Sequence, residues 1–263
     1  MNKLLLFLLS LTLILTGCSA TISSQEARTF SREVKQNPPV DFIPRDVSVV
    51  AVGDSLTQGV GDIQDLGGYI PYLQAKLEAS KLISTANFQN FGVRGNRSDQ
   101  LLKRLNKENV KTAIVDADLV IITIGGNDIM QVFKENMMGL ELNKFVAAEN
   151  GYSKTLHEIF MTIRQYNNEA GIVLIGIYNP FIKWFSDIKE MSTIVENWNQ
   201  TSLEEVSNVD RAIFVPIANI FENNEESLLY TDYFHPNNRG YELIGDRIFS
   251  QLENENLLKS VFE

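Results

Sequence analysis

Cysteine is almost absent from this 263-residue sequence, whose single cysteine is Cys18. One cysteine excludes an intrachain disulfide, a CxxC redox pair and a zinc site built from cysteines. It also leaves Cys18 as the sole candidate for a thiol nucleophile. Its position directly after an apolar N-terminal run argues against that role.

Basic residues are scarce as well, with 23 Lys and Arg against 33 Asp and Glu and a formal net charge of -10. A surface of this sign repels phosphate backbones and anionic headgroups, which disfavours nucleic-acid binding and requires a lipid for any membrane attachment. No GxxxxGK motif occurs, and the glycine-rich loop at 59–68 contains no basic residue. We therefore expect a flexible loop bordering a site there, and a nucleotide-binding α/β protein is disfavoured.

Residues 4–15 form an apolar-rich run, LLLFLLSLTLIL. As a helix this run spans only about 18 Å, short of the roughly 30 Å of a bilayer core, so it predicts a signal-peptide core and no membrane span. The following LTGC resembles the bacterial lipobox, in which the cysteine is acylated and begins the mature chain. We predict a signal peptide at 1–17, lipid attachment at Cys18, a polar tether at 18–44 and a folded domain at 45–263. An ordinary signal peptide cleaved nearby is the alternative.

Those N-terminal signals predict an exported protein that is lipid-anchored to the outer face of the bacterial cytoplasmic membrane. The membrane is thus an expected partner through the N-terminal lipid alone.

Five apolar runs alternate with amphipathic segments in the rest of the chain. The run at 47–52 is apolar and rich in valine, which is typical of a strand buried on both faces. Alternation of strands and helices implies a parallel sheet covered on both faces. We predict one doubly wound, flavodoxin-like α/β domain with a central five-stranded parallel sheet. Strands are predicted at 47–53, 86–91, 118–124, 171–177 and 212–217, and helices at 69–81, after Ser98 as the N-cap, at 130–150 as an insertion, at 153–166, at 188–206 and with Pro236 in the first turn.

Ser55 follows the first predicted strand in the sequence VGDSL. A sharp turn into a helix at this point would leave its hydroxyl exposed at the carboxyl end of a central strand, where open α/β sheets bind ligands. A serine after a glycine also commonly makes a turn or caps a helix. Ser55 is therefore a candidate nucleophile that needs a partner base.

His235 is the candidate base, and it is one of only two histidines. Asp232 lies three residues before it, close enough to accept a hydrogen bond from the ring, select its tautomer and stabilise the imidazolium. The alternative is a loop histidine beside a surface aspartate. The other histidine, His157, has no Asp, Glu or His at +3 or +4 and is predicted to be a partly exposed helix residue.

Four blocks of the sequence together resemble the SGNH, or GDSL, hydrolases. They are GDSLTQG at 53–59, NFGVRGNRS at 90–98, GGND at 125–128 and DYFHP at 232–236. The resemblance implies Ser55 as nucleophile, His235 as base and then acid, Asp232 as its orienting partner, and an oxyanion hole. That hole would be formed by the backbone N–H groups of Ser55 and Gly95 and by the amide of Asn127.

What the resemblance implies is a serine esterase or lipase-like acylhydrolase that works on a carboxylic ester without metal or cofactor. The elbow reads VGDSL and not GxSxG, which argues against the α/β-hydrolase fold. Phe181 and Trp184 follow the fourth strand and could line an acyl or lipid pocket, although aromatic residues are often core. The alternative function is a non-catalytic surface lipoprotein that binds a glycan or lipid in the same cleft.

Overall fold

The computed structural model describes residues 43–262, except 138, 140, 180–188 and 223. The predicted signal peptide, the lipid attachment at Cys18 and nearly all of the tether lie outside the described residues. The predicted pocket residues Phe181 and Trp184 lie outside them too.

A five-stranded, all-parallel sheet forms the centre of the described chain, in the order β2-β1-β3-β4-β5. This confirms the predicted fold class. The strand that precedes Ser55 pairs on both sides, which explains why its sequence is apolar at almost every position. The strands are β1 (Arg45–Gly53), β2 (Ile83–Gly92), β3 (Leu119–Thr123), β4 (Gly171–Ile175) and β5 (Ala212–Val215).

Helices cover both faces of this sheet. The described helices are α1 (Ser55–Gln58), α2 (Ile70–Ala79), α3 (Ser98–Leu105), α4 (Glu108–Val115), α5 (Gly126–Glu135), α6 (Leu142–Tyr166), α7 (Lys189–Ser207), α8 (Ala218–Phe221), α9 (Glu225–Leu228), α10 (Asn238–Asn254) and α11 (Leu257–Phe262). The long α6 and α7 pack on one face together with α3 and α4, whereas α2 and α10 pack on the other.

Alternate side chains of β1 divide between two hydrophobic clusters. Val50 and Val52 belong to the cluster that includes Trp198, whereas Val49 and Ala51 belong to the cluster that includes Tyr241. This is the period of two that a strand imposes on its side chains. The strand is therefore held from both faces, and its carboxyl end is a rigid platform.

The predicted insertion at 130–150 is wrong. Residues 126–135 form α5, and residues 142–150 are the first part of α6, which continues without a break through Gly151 to Tyr166. Phe145 and Tyr152 are buried on the same face of α6 as Leu156, so packing holds the helix together across the glycine.

Two predicted helix starts also shift. Ser98 is the first residue of α3 and not its N-cap, which is Arg97. Helix α10 begins at Asn238 with Asn237 as its N-cap, so Pro236 precedes the helix. Of the described helices, none is long and apolar enough to cross a membrane.

Candidate active site

Ser55 begins α1 immediately beyond the carboxyl end of β1. The turn requires a glycine at position 53. Gly53 has a φ of +143°, and a Cβ on this residue would lie only 2.2 Å from the Thr123 carbonyl oxygen. Asp54 then caps the short helix by accepting a hydrogen bond from the backbone N–H of Leu56 at 3.0 Å. Ser55 is only 2% exposed, so the expectation of an exposed serine is wrong. It lies instead in the wall of a cleft.

A chain of buried hydroxyl groups lies beneath this turn. Asp54 accepts a hydrogen bond from the Thr123 hydroxyl at 2.9 Å, and the Thr123 and Thr57 hydroxyls are 2.8 Å apart. Tyr69 extends the chain at 3.2 Å from Thr57. Burial raises the pKa of Asp54 to about 7, although its hydrogen bonds oppose that rise. The turn is thus fixed to β3 by a network that contains a carboxyl group with weakened acidity.

His235 and Asp232 are directly bonded, as their spacing predicted. The Asp232 Oδ2 atom lies 2.6 Å from Nδ1 of His235, while Oδ1 accepts the backbone N–H groups of Phe234 and His235, each at 3.0 Å. Burial would raise the pKa of Asp232, but these hydrogen bonds hold it below its ordinary value. Burial lowers the pKa of His235 and outweighs the opposing effect of Asp232. The ring is therefore neutral near neutral pH.

The segment that carries the histidine packs on the loop that follows the serine helix. Gly61 contacts it so closely that a Cβ at position 61 would lie 2.4 Å from the Pro236 carbonyl oxygen and 3.1 Å from the His235 Cβ. Tyr241 donates a hydrogen bond to the Val60 carbonyl at 2.6 Å. These contacts bring His235 to the rim of the sheet that carries Ser55.

Asp62 organises the glycine-rich loop at 59–68, which was predicted to be flexible. Its carboxylate accepts the backbone N–H groups of Gln64, Leu66 and Gly68 at 2.8–3.2 Å. It also accepts the Asn238 amide at 2.5 Å, and the Asn238 carbonyl oxygen accepts the Ile63 N–H at 3.2 Å. The loop is thus tied to itself and to the start of α10, three residues after His235.

Ser55 and His235 are not hydrogen-bonded to each other in this structure. Within the described residues, the Ser55 hydroxyl makes no hydrogen bond to the His235 ring. Contacts of this kind are often long in enzymes without substrate and shorten in the reactive complex. Ser55 and Phe234, the neighbour of His235, nevertheless line the same cleft.

Gly95 lies on the loop after β2, and Asn127 is the second residue of α5, which follows the neighbouring strand β3. The Asn127 side chain donates a hydrogen bond to the Asn96 carbonyl at 3.0 Å, which joins the loop to the helix and leaves its second N–H for another acceptor. Asn127 does not cap α5, since the N-cap there is Gly125 and has no side-chain bond. Gly95 has φ +77°, and a Cβ there would meet no atom within 4 Å. Both positions thus border open space.

Asp128, a residue that sequence reasoning did not single out, joins the first turn of α5 to the first residue of α3. Its carboxylate accepts the Ser98 hydroxyl at 2.6 Å and the Ser98 backbone N–H at 3.1 and 3.2 Å. It therefore fastens the first residue of α3 to α5. Burial raises the pKa of Asp128 to about 6, against the effect of the Ser98 hydrogen bonds.

The cleft above Ser55 is mainly apolar and is open to solvent. Ile177, Tyr178 and Phe234 line it together with Asn127, and the Tyr178 hydroxyl donates a hydrogen bond to the Phe234 carbonyl. Sequence reasoning missed these wall residues, although their places directly after β4 and before His235 could have indicated them. Among the described residues, no group of three His, Cys, Asp or Glu side chains could hold a metal ion.

A doubly wound domain that brings Ser55, Gly95, Asn127 and His235 to one rim has the architecture of the SGNH hydrolases. The sequence model of the GDSL-like Lipase/Acylhydrolase family matches residues 51–243. The chain belongs to this family of carboxylic ester hydrolases.

Two relatives support that assignment by sequence. YpmR of Bacillus subtilis strain 168, described as an uncharacterized protein, is 35% identical over 252 residues that cover 95% of this chain and 96% of YpmR. The spore germination lipase LipC of Bacillus licheniformis is 25% identical over 202 residues, which cover 75% of this chain and 92% of LipC.

Solved structures share the fold. The lipase Lip_vut3 from a goat rumen metagenome has a TM-score of 0.71 at 23% identity, covering 79% of this chain and 97% of that one. Axe2, an acetylxylan esterase from Geobacillus stearothermophilus, has a TM-score of 0.59 at 20% identity, covering 80% and 96%.

Proposed function

We propose that this protein is a serine esterase that hydrolyses a carboxylic ester through an acyl-enzyme intermediate. The single observation that carries the proposal is the bonded pair of His235 and Asp232, docked on the loop that follows Ser55. Asp232 accepts the Nδ1 hydrogen, which leaves Nε2 of His235 free to act as a base. A binding protein has no need of a buried, tautomer-selected imidazole that packs on the loop after a strand-end serine.

In the proposed reaction, His235 takes the Ser55 proton as the hydroxyl oxygen bonds to the ester carbonyl carbon. The carbonyl oxygen becomes an oxyanion, which the N–H groups of Ser55, Gly95 and Asn127 stabilise, each by roughly 3 to 4 kcal/mol. The carbon–oxygen bond to the alcohol breaks, and the imidazolium gives its proton to that alcohol. A water molecule then repeats the sequence on the acyl-enzyme and releases the acid.

The acyl group of the substrate lies against Ile177, Tyr178 and Phe234 in this proposal. Their apolar surfaces border the open side of the Ser55 turn. Two proteins similar to this chain have names that point to different acyl esters: LipC is called a lipase, and Axe2 is called an acetylxylan esterase. The choice between lipid and acetylated glycan therefore depends on a screen of acyl-chain lengths beside acetylated glycans.

Replacing the nucleophile tests the proposal. We expect Ser55→Ala to lower turnover of 4-nitrophenyl butyrate by at least about 10³-fold, because no acyl-enzyme can form. Circular dichroism checks that the fold persists. Ser207→Ala is the matched control, since this serine is exposed at the end of α7 and bonds only the Leu203 carbonyl.

A fluorophosphonate probe separates this proposal from a non-catalytic lipoprotein. We expect covalent labelling of the wild type at Ser55 and none of Ser55→Ala. The proposed function would be contradicted if Ser55→Ala turned over the ester as fast as the wild type does. It would also be contradicted if the probe failed to label the wild type.

We further propose that the protein is exported and anchored by a lipid on Cys18, on the outer face of the cytoplasmic membrane. The apolar run at 4–15 and the LTGC that ends it support this proposal. In a bacterial host, radiolabelled palmitate should enter the wild type and should be absent from Cys18→Ala. Equal labelling of the two chains would rule out this attachment.

A further inference from the structure

Two hydrogen bonds fix the backbone around Arg94 beside the end of β1. The Val93 N–H donates to the Gly53 carbonyl at 3.0 Å, and the Arg94 N–H donates to Oε1 of Gln58 at 2.5 Å. The first bond attaches this loop to the end of the serine strand, and the second attaches it to the end of the serine helix. The backbone of Arg94 is thus held one residue from the proposed oxyanion donor Gly95.

The side chain of Arg94 is exposed and has no partner among the described residues. Its two arginine neighbours differ in this respect: Arg97 pairs with Asp99 at 3.1 Å, and Arg104 donates to Oδ1 of Asn96 at 2.7 Å. Only Arg94 therefore keeps its guanidinium available in this part of the site. Arginine offers planar, paired donors that match a carboxylate or a phosphate.

The positive charge of Arg94 acts on His235. Burial is the main cause of the lowered pKa of His235, and the charge of Arg94 lowers that pKa further. Gly95, the residue after Arg94, borders open space, since a Cβ there would meet no atom within 4 Å.

Among the described residues, none of the carboxylates near the site forms a salt bridge with Arg94. Their hydrogen-bond partners are His235 for Asp232, Asn238 for Asp62, Ser98 for Asp128 and Thr123 for Asp54. The chain as a whole carries a net charge of -10, so its overall field repels anions. The unpaired cation beside Gly95 is a local exception to that field.

We propose that Arg94 binds an anionic group, a carboxylate or a phosphate, that the ester substrate carries close to its scissile bond. This inference rests on the proposed function and narrows it to esters with a negative charge. Arg94 is then a specificity-determining residue, and the reaction itself remains with Ser55 and His235.

A matched pair of soluble esters tests the inference. Mono-4-nitrophenyl glutarate and 4-nitrophenyl pentanoate have the same acyl length and differ in a terminal carboxylate. The quantity measured is the ratio of kcat/KM for the anionic ester to that for the neutral ester, at pH 8, where His235 is neutral. We expect Arg94→Gln to lower this ratio about five- to tenfold, and Arg94→Glu to lower it further.

Salt gives a second readout of the same contact. Raising the ionic strength should lower the ratio for the wild type and should leave that for Arg94→Gln nearly constant. Lys103→Gln is the control, because Lys103 is 79% exposed on α3 and pairs with Asp99, away from the cleft. Its ratio should equal that of the wild type.

A lipid pair distinguishes the two sources of the anion. Dihexanoyl phosphatidylglycerol and dihexanoylglycerol differ in the phosphate headgroup, and fatty-acid release is measured for both. The inference is supported if Arg94→Gln lowers the ratio of the anionic to the neutral ester in either pair. A fall in the soluble pair identifies a carboxylate as the group bound, and a fall in the lipid pair identifies a phosphate. Ratios that Arg94→Gln leaves unchanged in both pairs would overturn it, whereas a wild type inactive on every ester would overturn the proposed function instead.

Discussion

At the scale of single residues, the ionisation of His235 governs the expected pH dependence of catalysis. The ring is 5% exposed, and burial holds its pKa below the ordinary 6.5. The base form is needed, so kcat/KM should rise with pH and reach half of its plateau below pH 6.5. A rate profile from pH 4 to 8 measures this midpoint, and a midpoint above 6.5 would contradict the assignment.

Asp232 provides the matching variant for that profile. Its carboxylate favours the imidazolium, so Asp232→Asn should move the midpoint further down and lower the plateau by roughly 10²- to 10⁴-fold. A midpoint that rises in Asp232→Asn would show that another group titrates.

Asp54 should make the stability of the protein depend on pH. Burial raises its pKa from 3.8 to about 7, so the folded state binds a proton that the unfolded state releases above pH 4. Its contribution to stability is therefore full below pH 3.8 and is lost as pH rises to about 7. Asn keeps the cap and the bond from Thr123 without a charge.

We accordingly expect the stability of Asp54→Asn, relative to the wild type, to increase by a few kcal/mol between pH 4 and pH 8. Urea unfolding at several pH values measures the difference. A constant difference across this range would mean that Asp54 is ionised throughout.

At the scale of elements, the bond between Asp62 and Asn238 sets how the histidine segment meets the serine loop. Asn238→Ala removes both hydrogen bonds to that loop and should lower kcat about 10-fold or more with little change in KM, because a displacement of about 1 Å costs much of the rate. Asn208→Ala is the control, since its amide bonds only the Glu204 carbonyl on α7. Equal loss in both variants would indicate a general effect on folding.

Local sequence patterns predicted the elements better than their ends. The strands were predictable because a strand buried on both faces is apolar at nearly every position, as in β3 and β4. The continuous α6 was not predictable, because Gly151 and the irregular apolar pattern before it do not indicate a helix. Tertiary packing stabilises the helix there. The start of α3 was misplaced because Asp128, thirty positions away, binds Ser98.

The geometry of the site was predictable only for residues that are close to one another in the sequence. The Asp232 and His235 pair follows from a spacing of three residues, and the four family blocks made Ser55, Gly95 and Asn127 candidates together. The contact of Asp62 with Asn238 joins positions 176 apart, and no local pattern reports it. The buried state of Ser55 likewise depends on walls formed by Ile177 and Phe234.

At the scale of the whole molecule, the described site residues all belong to one compact unit, Val40–Glu263. A chain that begins at Val40 should therefore hydrolyse a soluble neutral ester with kcat/KM within about twofold of the full chain. Purified proteins assayed side by side measure this ratio. A loss of more than tenfold would mean that the first 39 residues contribute to catalysis.

The central strand separates the start of the described domain from its reactive turn. β1 begins at Arg45 and ends at Gly53, two residues before Ser55 and about 26 Å away for a strand of this length. A force applied to Arg45 is therefore borne first by the pairing of β1 with β2 and β3, at the end of the strand remote from Ser55.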